Sequence, residues 1–144
     1  MRGRKYIGGP LKYYFEDVGL RNARLNFRQQ EPTHIMENVI YNELVMRGYA
    51  VDVGIVELRE GNDRKQVEID FVANEGSKRY YVQSAFMLAD EEKRMQEERP
   101  LVSVPDSFKK IIVVGGSRKE SRDDNGIVTM GIKQFLLNPD SLEL

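Results

Sequence analysis

At 144 residues, 40% of them hydrophobic, the chain is long enough for one domain with a buried core and too short for two full ones. Its 22 Lys plus Arg against 23 Asp plus Glu give a formal net charge of -1, which excludes coating of nucleic acid by charge alone but leaves room for a local basic face. With no cysteine, disulfides, thiolate nucleophiles and thiolate metal sites are excluded together; this suits a reducing compartment, and a cytoplasmic location is expected. No apolar run approaches the roughly 20 residues that span a bilayer, and residues 1–6 lack the apolar stretch of a signal peptide, so no membrane association or export is expected. Neither Gly8-Gly9-Pro10 nor Gly115-Gly116-Ser117 continues into the Gly-Lys-Ser/Thr of a Walker loop, so nucleotide hydrolysis is not expected of these residues.

In chain order, residues 11–16 are rich in tyrosine and phenylalanine and predict a strand, which Asp17-Val-Gly-Leu20 breaks before a short helix over 21–26. Residues 28–33 read as a connection, with Thr33 placed to cap the next helix. That main helix is predicted over 34–47 and stops at Gly48. An apolar strand over 50–58 and a charged loop over 59–65 come next, the loop drawing its turn chemistry from Gly61-Asn62-Asp63. A hairpin follows, its first arm alternating Val67, Ile69 and Phe71 with Glu68, Asp70 and Val72, its turn near Gly76, its return arm over 79–86. An exposed, charged helix over 89–98 should end at Pro100. The remaining elements are a buried strand over 110–114, a charged loop over 117–125, a strand over 127–130 and a short helix over 132–137. This order predicts an α/β domain with a mixed central sheet flanked by helices, because the first three strands can pair through hairpins while the last must return across a helix.

At about 100° per residue, Ile35, Met36, Val39, Ile40, Leu44 and Met46 share one broad face of the main helix. Glu43 falls in the middle of that face and Glu37 at its edge; a carboxylate there needs a cation, a metal or hydrogen-bond donors to offset its desolvation. On the hairpin, Glu68 and Asp70 share a strand face, and Gln83 returns on the strand beside Asp70. Strand-borne carboxylates close to a helix-borne one make a candidate Mg²⁺ site, able to bind a phosphate oxygen and activate water, while Gln83 by itself reads as a hydrogen-bonded strand residue.

The helix with Glu37, the strand with Asp70 and the return arm Val82-Gln-Ser-Ala85 resemble the PD-(D/E)xK nuclease-like superfamily over residues 33–114. The resemblance implies a restriction-endonuclease-like fold in which Glu37, Asp70 and Gln83 hold the metal and catalytic positions, Glu43 being the alternative ligand. It also shows two departures: Gln83 stands in place of the second acid and Ala85 in place of the lysine. Loss of such a fixed electrostatic donor is worth roughly 3 kcal/mol of barrier. Lys78 and Lys93 are the candidates for a relocated lysine. A closer resemblance covers nearly the whole chain. Lys12-Tyr-Tyr-Phe-Glu-Asp-Val-Gly-Leu-Arg-Asn-Ala23, Met36-Glu-Asn-Val-Ile-Tyr-Asn-Glu-Leu44, Glu68-Ile-Asp-Phe-Val72 and Tyr81-Val-Gln-Ser-Ala85 look like the C-terminal domain of unknown function that follows the P-loop module in a family of prokaryotic AAA+ type ATPases.

That resemblance implies an ATPase module upstream as the partner in the full-length protein, residues 1–33 being the lead-in from it and 34–144 the nuclease-like domain; Met1 need not then be the native start. The function expected is binding of nucleic acid or a protein partner through a degenerate active site. The alternatives are an active Mg²⁺-dependent nuclease with a relocated lysine, and an oligomerisation domain. Outside this set, His34 reads as a surface residue, Asp17 as a turn or cap residue, and Tyr13, Tyr14, Tyr80 and Tyr81 as strand packing.

Overall fold

A computed structural model describes Lys12, Tyr14, Glu16 and residues 31–144. The strand, turn and helix expected over 11–26 lie outside the described residues apart from these three.

Helix α1 spans Pro32–Met46 and starts earlier than the Thr33 cap predicts. Pro32 takes the first helical position, where its missing N–H costs nothing and its φ is already helical, so Glu31 becomes the N-cap without a side-chain bond. Gly48, at φ 95°, ends the helix as expected, with Gly48 N–H on the Val45 carbonyl and Tyr49 N–H on that of Leu44. The buried stripe is Met36, Ile40 and Leu44, joined by Asn38; Met46 is 75% exposed, because it follows the last turn that touches the sheet.

Strands β1 (Ala50–Glu60) and β2 (Asp63–Glu75) form one long hairpin that runs through the segment expected to be a charged loop. Gly61, at φ 62°, allows a two-residue turn, so the charges at 59–65 stand on strands instead of a loop. Strand β3 (Lys78–Ala85) pairs with β2 only from Phe71↔Val82 to Glu75↔Lys78, and the outer part of the hairpin projects past it. Helix α2 (Glu91–Val102) is capped by Asp90, whose carboxylate accepts from Lys93 N–H at 2.8 Å. It continues through Pro100, which was expected to end it, because Pro100 and Leu101 are buried in the core at its last turn.

Strand β4 (Lys109–Val114) runs parallel to β3, and β6 (Val128–Gly131) parallel to β4. A two-residue strand β5 (Ser121–Arg122) pairs antiparallel with β6 inside the second charged loop, and helix α3 (Ile132–Leu137) closes the fold with a 3₁₀ turn at Ser141–Glu143. The result is a six-stranded mixed sheet in the order β1-β2-β3-β4-β6-β5, flanked by helices, the α/β architecture expected. One apolar cluster sits on the α1 side, where Met36, Ile40 and Leu44 meet Phe71, Ala73, Val82, Ile111, Val113 and Phe135. The other sits on the α2 side, where Leu101 and Val104 meet Val56, Ile69, Val72, Tyr81, Ala85 and Ile112. Each buried Leu, Ile or Phe contributes roughly 1.5–3 kcal/mol, so neither layer is dispensable.

The return from β4 to α3 depends on Gly131. A Cβ there would lie 2.5 Å from Arg118 N, 2.7 Å from Gly116 O and 2.9 Å from Arg118 O, all backbone, while Gly131 N–H donates to Arg118 O at 2.8 Å. Gly131→Ala is expected to destabilise the domain by about 3 kcal/mol, read as a lower urea midpoint with an unchanged slope.

Candidate functional site

The hairpin alternation breaks where the acids stand. Between the pairs Asp52↔Val72 and Gly54↔Ile69, Val53 alone opposes Asp70 and Phe71, which makes a β-bulge. In consequence Ile69 packs in the α2-side cluster and Phe71 in the α1-side cluster, although even alternation predicts one face for both. Asp70 is in register with neither neighbouring strand. Its N–H is satisfied instead by Gln83 Oε1 at 2.9 Å, and its own Oδ2 accepts from Ser84 N–H at 2.8 Å. These two crossed bonds extend the β2–β3 contact beyond its last regular pair.

On the α1 side the bulge delivers the Asp70 carboxylate to Glu37, and Lys12 joins them. Lys12 Nζ lies 3.2 Å from Glu37 Oε1, 3.4 Å from Asp70 Oδ1 and 3.6 Å from Glu68 Oε2. Tyr14 O–H donates to Glu37 Oε1 at 2.6 Å, and its ring stacks on Tyr41, centroids 4.3 Å apart, with Phe71 beneath at 5.8 Å. The side chains of Glu37 and Asp70 are each 17% exposed, so these charges interact in a medium much less polar than water. Burial pushes the Asp70 carboxyl up to about 6, against the pull of the Ser84 N–H and Lys12 and with a further push from Glu37. Burial likewise raises the Tyr14 phenol, reinforced by its bond to Glu37. For Lys12 burial acts downward, and Asp70, Glu37 and Glu68 together outweigh it, leaving the ammonium firmly charged.

Several predicted site residues are placed elsewhere. Gln83 is adjacent to Asp70, as the hairpin requires, but binds its backbone; Gln83 Nε2 donates to Glu97 of α2 at 3.3 Å, on the opposite face of the sheet from Glu37. The physical reason is the bulge, which turns Asp70 toward α1 and leaves an unpaired N–H for Gln83 to cover. Ala85 is buried among the α2-side residues, so that position also faces away from the acids. Glu43 is bound by Arg47 at 2.8 Å, and Arg47 reaches on to Ser141 Oγ and the carbonyls of Phe135 and Asn138, which makes Glu43 part of a tie to the C-terminal segment.

Neither Lys78, paired with Glu143 at 3.5 Å, nor Lys93, paired with Glu97 at 2.8 Å, points at Asp70. His34 is exposed beside Glu31, and Tyr80 and Tyr81 pack on opposite faces of β3, as expected of surface and packing residues. Residue-by-residue reading missed Lys12 and Tyr14, although both belong to the Lys12-Tyr-Tyr-Phe run that carried the family resemblance. That run was the available clue.

The oxygens of Glu37, Glu68 and Asp70 are gathered around an ammonium, the second strand donor faces the other way, and among the described residues no three acidic or histidine side chains are grouped to hold a metal. This donor set does not fit Mg²⁺, which asks for oxygens at about 2.1 Å in an octahedron. What the arrangement does chemically is offset part of the charge of three carboxylates with one cation from the chain itself.

A protein of Haemophilus influenzae described as uncharacterized is 31% identical to this chain over 137 residues, which are 95% of this chain and 31% of that protein. The chain thus spans about a third of the length of this relative. No protein-family model and no solved structure matches the chain.

Two measurements test this geometry. Below about pH 4 Asp70 is protonated whether folded or not; between there and about pH 6 only the unfolded chain releases the proton, so stability falls with rising pH. The stability of the native chain relative to Asp70→Asn should therefore drop by on the order of 3 kcal/mol across that interval and stay level above it. At position 83, Gln83→Leu orphans the Asp70 N–H and should cost about 1–3 kcal/mol. Gln83→Glu places a carboxylate against Glu97; it too should lower stability and leave Mg²⁺ affinity by calorimetry unchanged.

Proposed function

We propose that this chain is a nuclease-like, nucleic-acid-binding module with a degenerate active site, carried in the cytoplasm by a larger AAA+ type ATPase. The observation that carries the reading is the Lys12 ammonium shared by Glu37, Glu68 and Asp70, with Gln83 turned to the other face of the sheet. A chain that sets its own ammonium among these acids offers a phosphodiesterase-like scaffold in which the lysine competes with a divalent ion for the same oxygens. The mixed sheet flanked by helices agrees with that scaffold. The greater length of the H. influenzae relative is in keeping with a second module in the full protein.

One observation favours the alternative of an active nuclease: Lys12 points at Asp70, as a relocated catalytic lysine would, where Lys78 and Lys93 do not. The two readings separate in one set of assays on labelled DNA and RNA, duplex and single-stranded. The binding module predicts equal affinity in Mg²⁺ and in EDTA at matched ionic strength, with no cleavage in Mg²⁺ or Mn²⁺. Cleavage that requires the metal and disappears in Asp70→Ala would establish the nuclease instead. Self-association in sedimentation with no nucleic-acid binding would support the oligomerisation domain and sink both.

A further inference from the structure

The outer half of the β1–β2 hairpin carries a feature that the acid cluster does not use. Arg59 and Arg64 are directly opposite each other across the hairpin, next to its two-residue turn. Directly opposed like charges destabilise a strand pair, and natural hairpins place opposite charges there. Here the nearby acids do not relieve the repulsion. Glu60 is held by Arg99 of α2, Glu57 faces Gln66, and among the described residues neither Arg59 nor Arg64 enters an ion pair or side-chain hydrogen bond. A hollow of about 210 Å³ lies at the same place, lined by Arg59, Gly61, Asn62, Asp63 and Arg64. It combines two guanidinium groups with a side-chain amide, against the single carboxylate of Asp63.

Register fixes which way this pair faces. Val56, Leu58 and Val67 pack in the α2-side cluster, so alternation puts Arg59, Arg64, Gln66 and Glu68 on the opposite face. That is the face on which Glu68, Asp70, Glu37 and Lys12 converge. Six residues of extended strand separate Arg64 from Asp70, roughly 20 Å. Because β3 pairs with β2 only inward of Phe71, the outer part of this hairpin runs beyond the β3 edge, one face backed by α2 through Leu58, Val67 and the Glu60–Arg99 pair and the other presenting Arg59 and Arg64.

We propose that the β1–β2 arm is a phosphate clamp: Arg59 and Arg64 together grip the sugar-phosphate backbone of a nucleic acid whose path continues along the arm toward the Lys12–Asp70 cluster. A phosphate between the two guanidinium groups converts their repulsion into two charge-assisted contacts, which is where the cost of opposing them is recovered. Since such contacts orient a duplex without reading its bases, the clamp contributes affinity and register but no sequence preference. This inference rests on the nucleic-acid reading above and deepens it.

The test is fluorescence anisotropy of a short labelled DNA duplex with the 144-residue chain over a series of KCl concentrations. Arg59→Gln/Arg64→Gln removes two exposed charges and keeps the strand; it should weaken binding about tenfold or more at low salt and reduce the slope of log K against log salt by about 2. Lys78→Gln/Arg79→Gln removes the same charge at the start of β3, beyond the end of β2 that is far from the arm, and should leave that slope near the native value. Equal losses in the two variants, or an unchanged slope in the arm variant, overturn the clamp while leaving nucleic-acid binding standing. No binding by the native chain overturns both. Displacement of the duplex by poly-glutamate as effectively as by unlabelled duplex would make the arm a site for acidic protein surfaces and overturn the assignment to nucleic acid.

Discussion

The hydrogen bond from the Asp70 backbone N–H to the Gln83 side chain is the constraint on which the site depends. An extra residue in β2 would ordinarily leave a buried donor unpaired, at a cost of about 1–3 kcal/mol. Gln83 removes that cost from the α2 side, and the Asp70 carboxylate repeats the move by accepting from Ser84 on the neighbouring strand. With the bulge held this way, Asp70 and Phe71 both turn toward α1. The acid can then meet Glu37, and the ring can support Tyr14 and Tyr41. A glutamine at position 83 is thus more than a weakened ligand. Its amide supplies both the acceptor that seats the bulge and the donor that reaches Glu97, and a carboxylate could supply only the first.

The charges gathered by the bulge do not stabilise the fold on their own account. Asp70 sits where burial outweighs its hydrogen bond and its cation, which is why its carboxyl holds its proton at unusually high pH. A structural ion pair would show the reverse, a carboxyl held below its ordinary value. Lys12 moderates the penalty by serving three carboxylates at once with one flexible ammonium. Groups with perturbed protonation that cluster on one face of a sheet are characteristic of functional sites, which is the physical basis of the proposal made for this cluster.

Much of the fold was legible in the sequence because its main elements follow strong local rules. The stop at Gly48, the β2–β3 hairpin about Gly76, the buried run in β4 and the helix after Gly131 all rest on turn chemistry or apolar patterning. The errors share a cause. Charged residues at 59–65 read as loop because polarity is a weak guide where a hairpin leaves the sheet and both faces meet water. Pro100 read as a helix end because the local penalty of proline is visible in sequence and the burial of Leu101 is not. At the site, Glu37 and Asp70 do converge, and Glu68 stands on the face expected of it. The turn of Asp70 to the α1 face, away from Gln83, follows from one extra residue opposite Val53, which no periodicity reveals. Lys12 reaches the acids across 25 and 58 positions of chain, a separation that no local pattern spans.

The chain's own ammonium is the cation of this acid cluster. Carbon-detected NMR titration of the Asp70 carboxyl, in the native chain and in Lys12→Met, tests it most directly. A midpoint near 6 is expected in the native chain and a clearly higher one in Lys12→Met, where burial and Glu37 act without the opposing charge. An identical midpoint in the two proteins would contradict it.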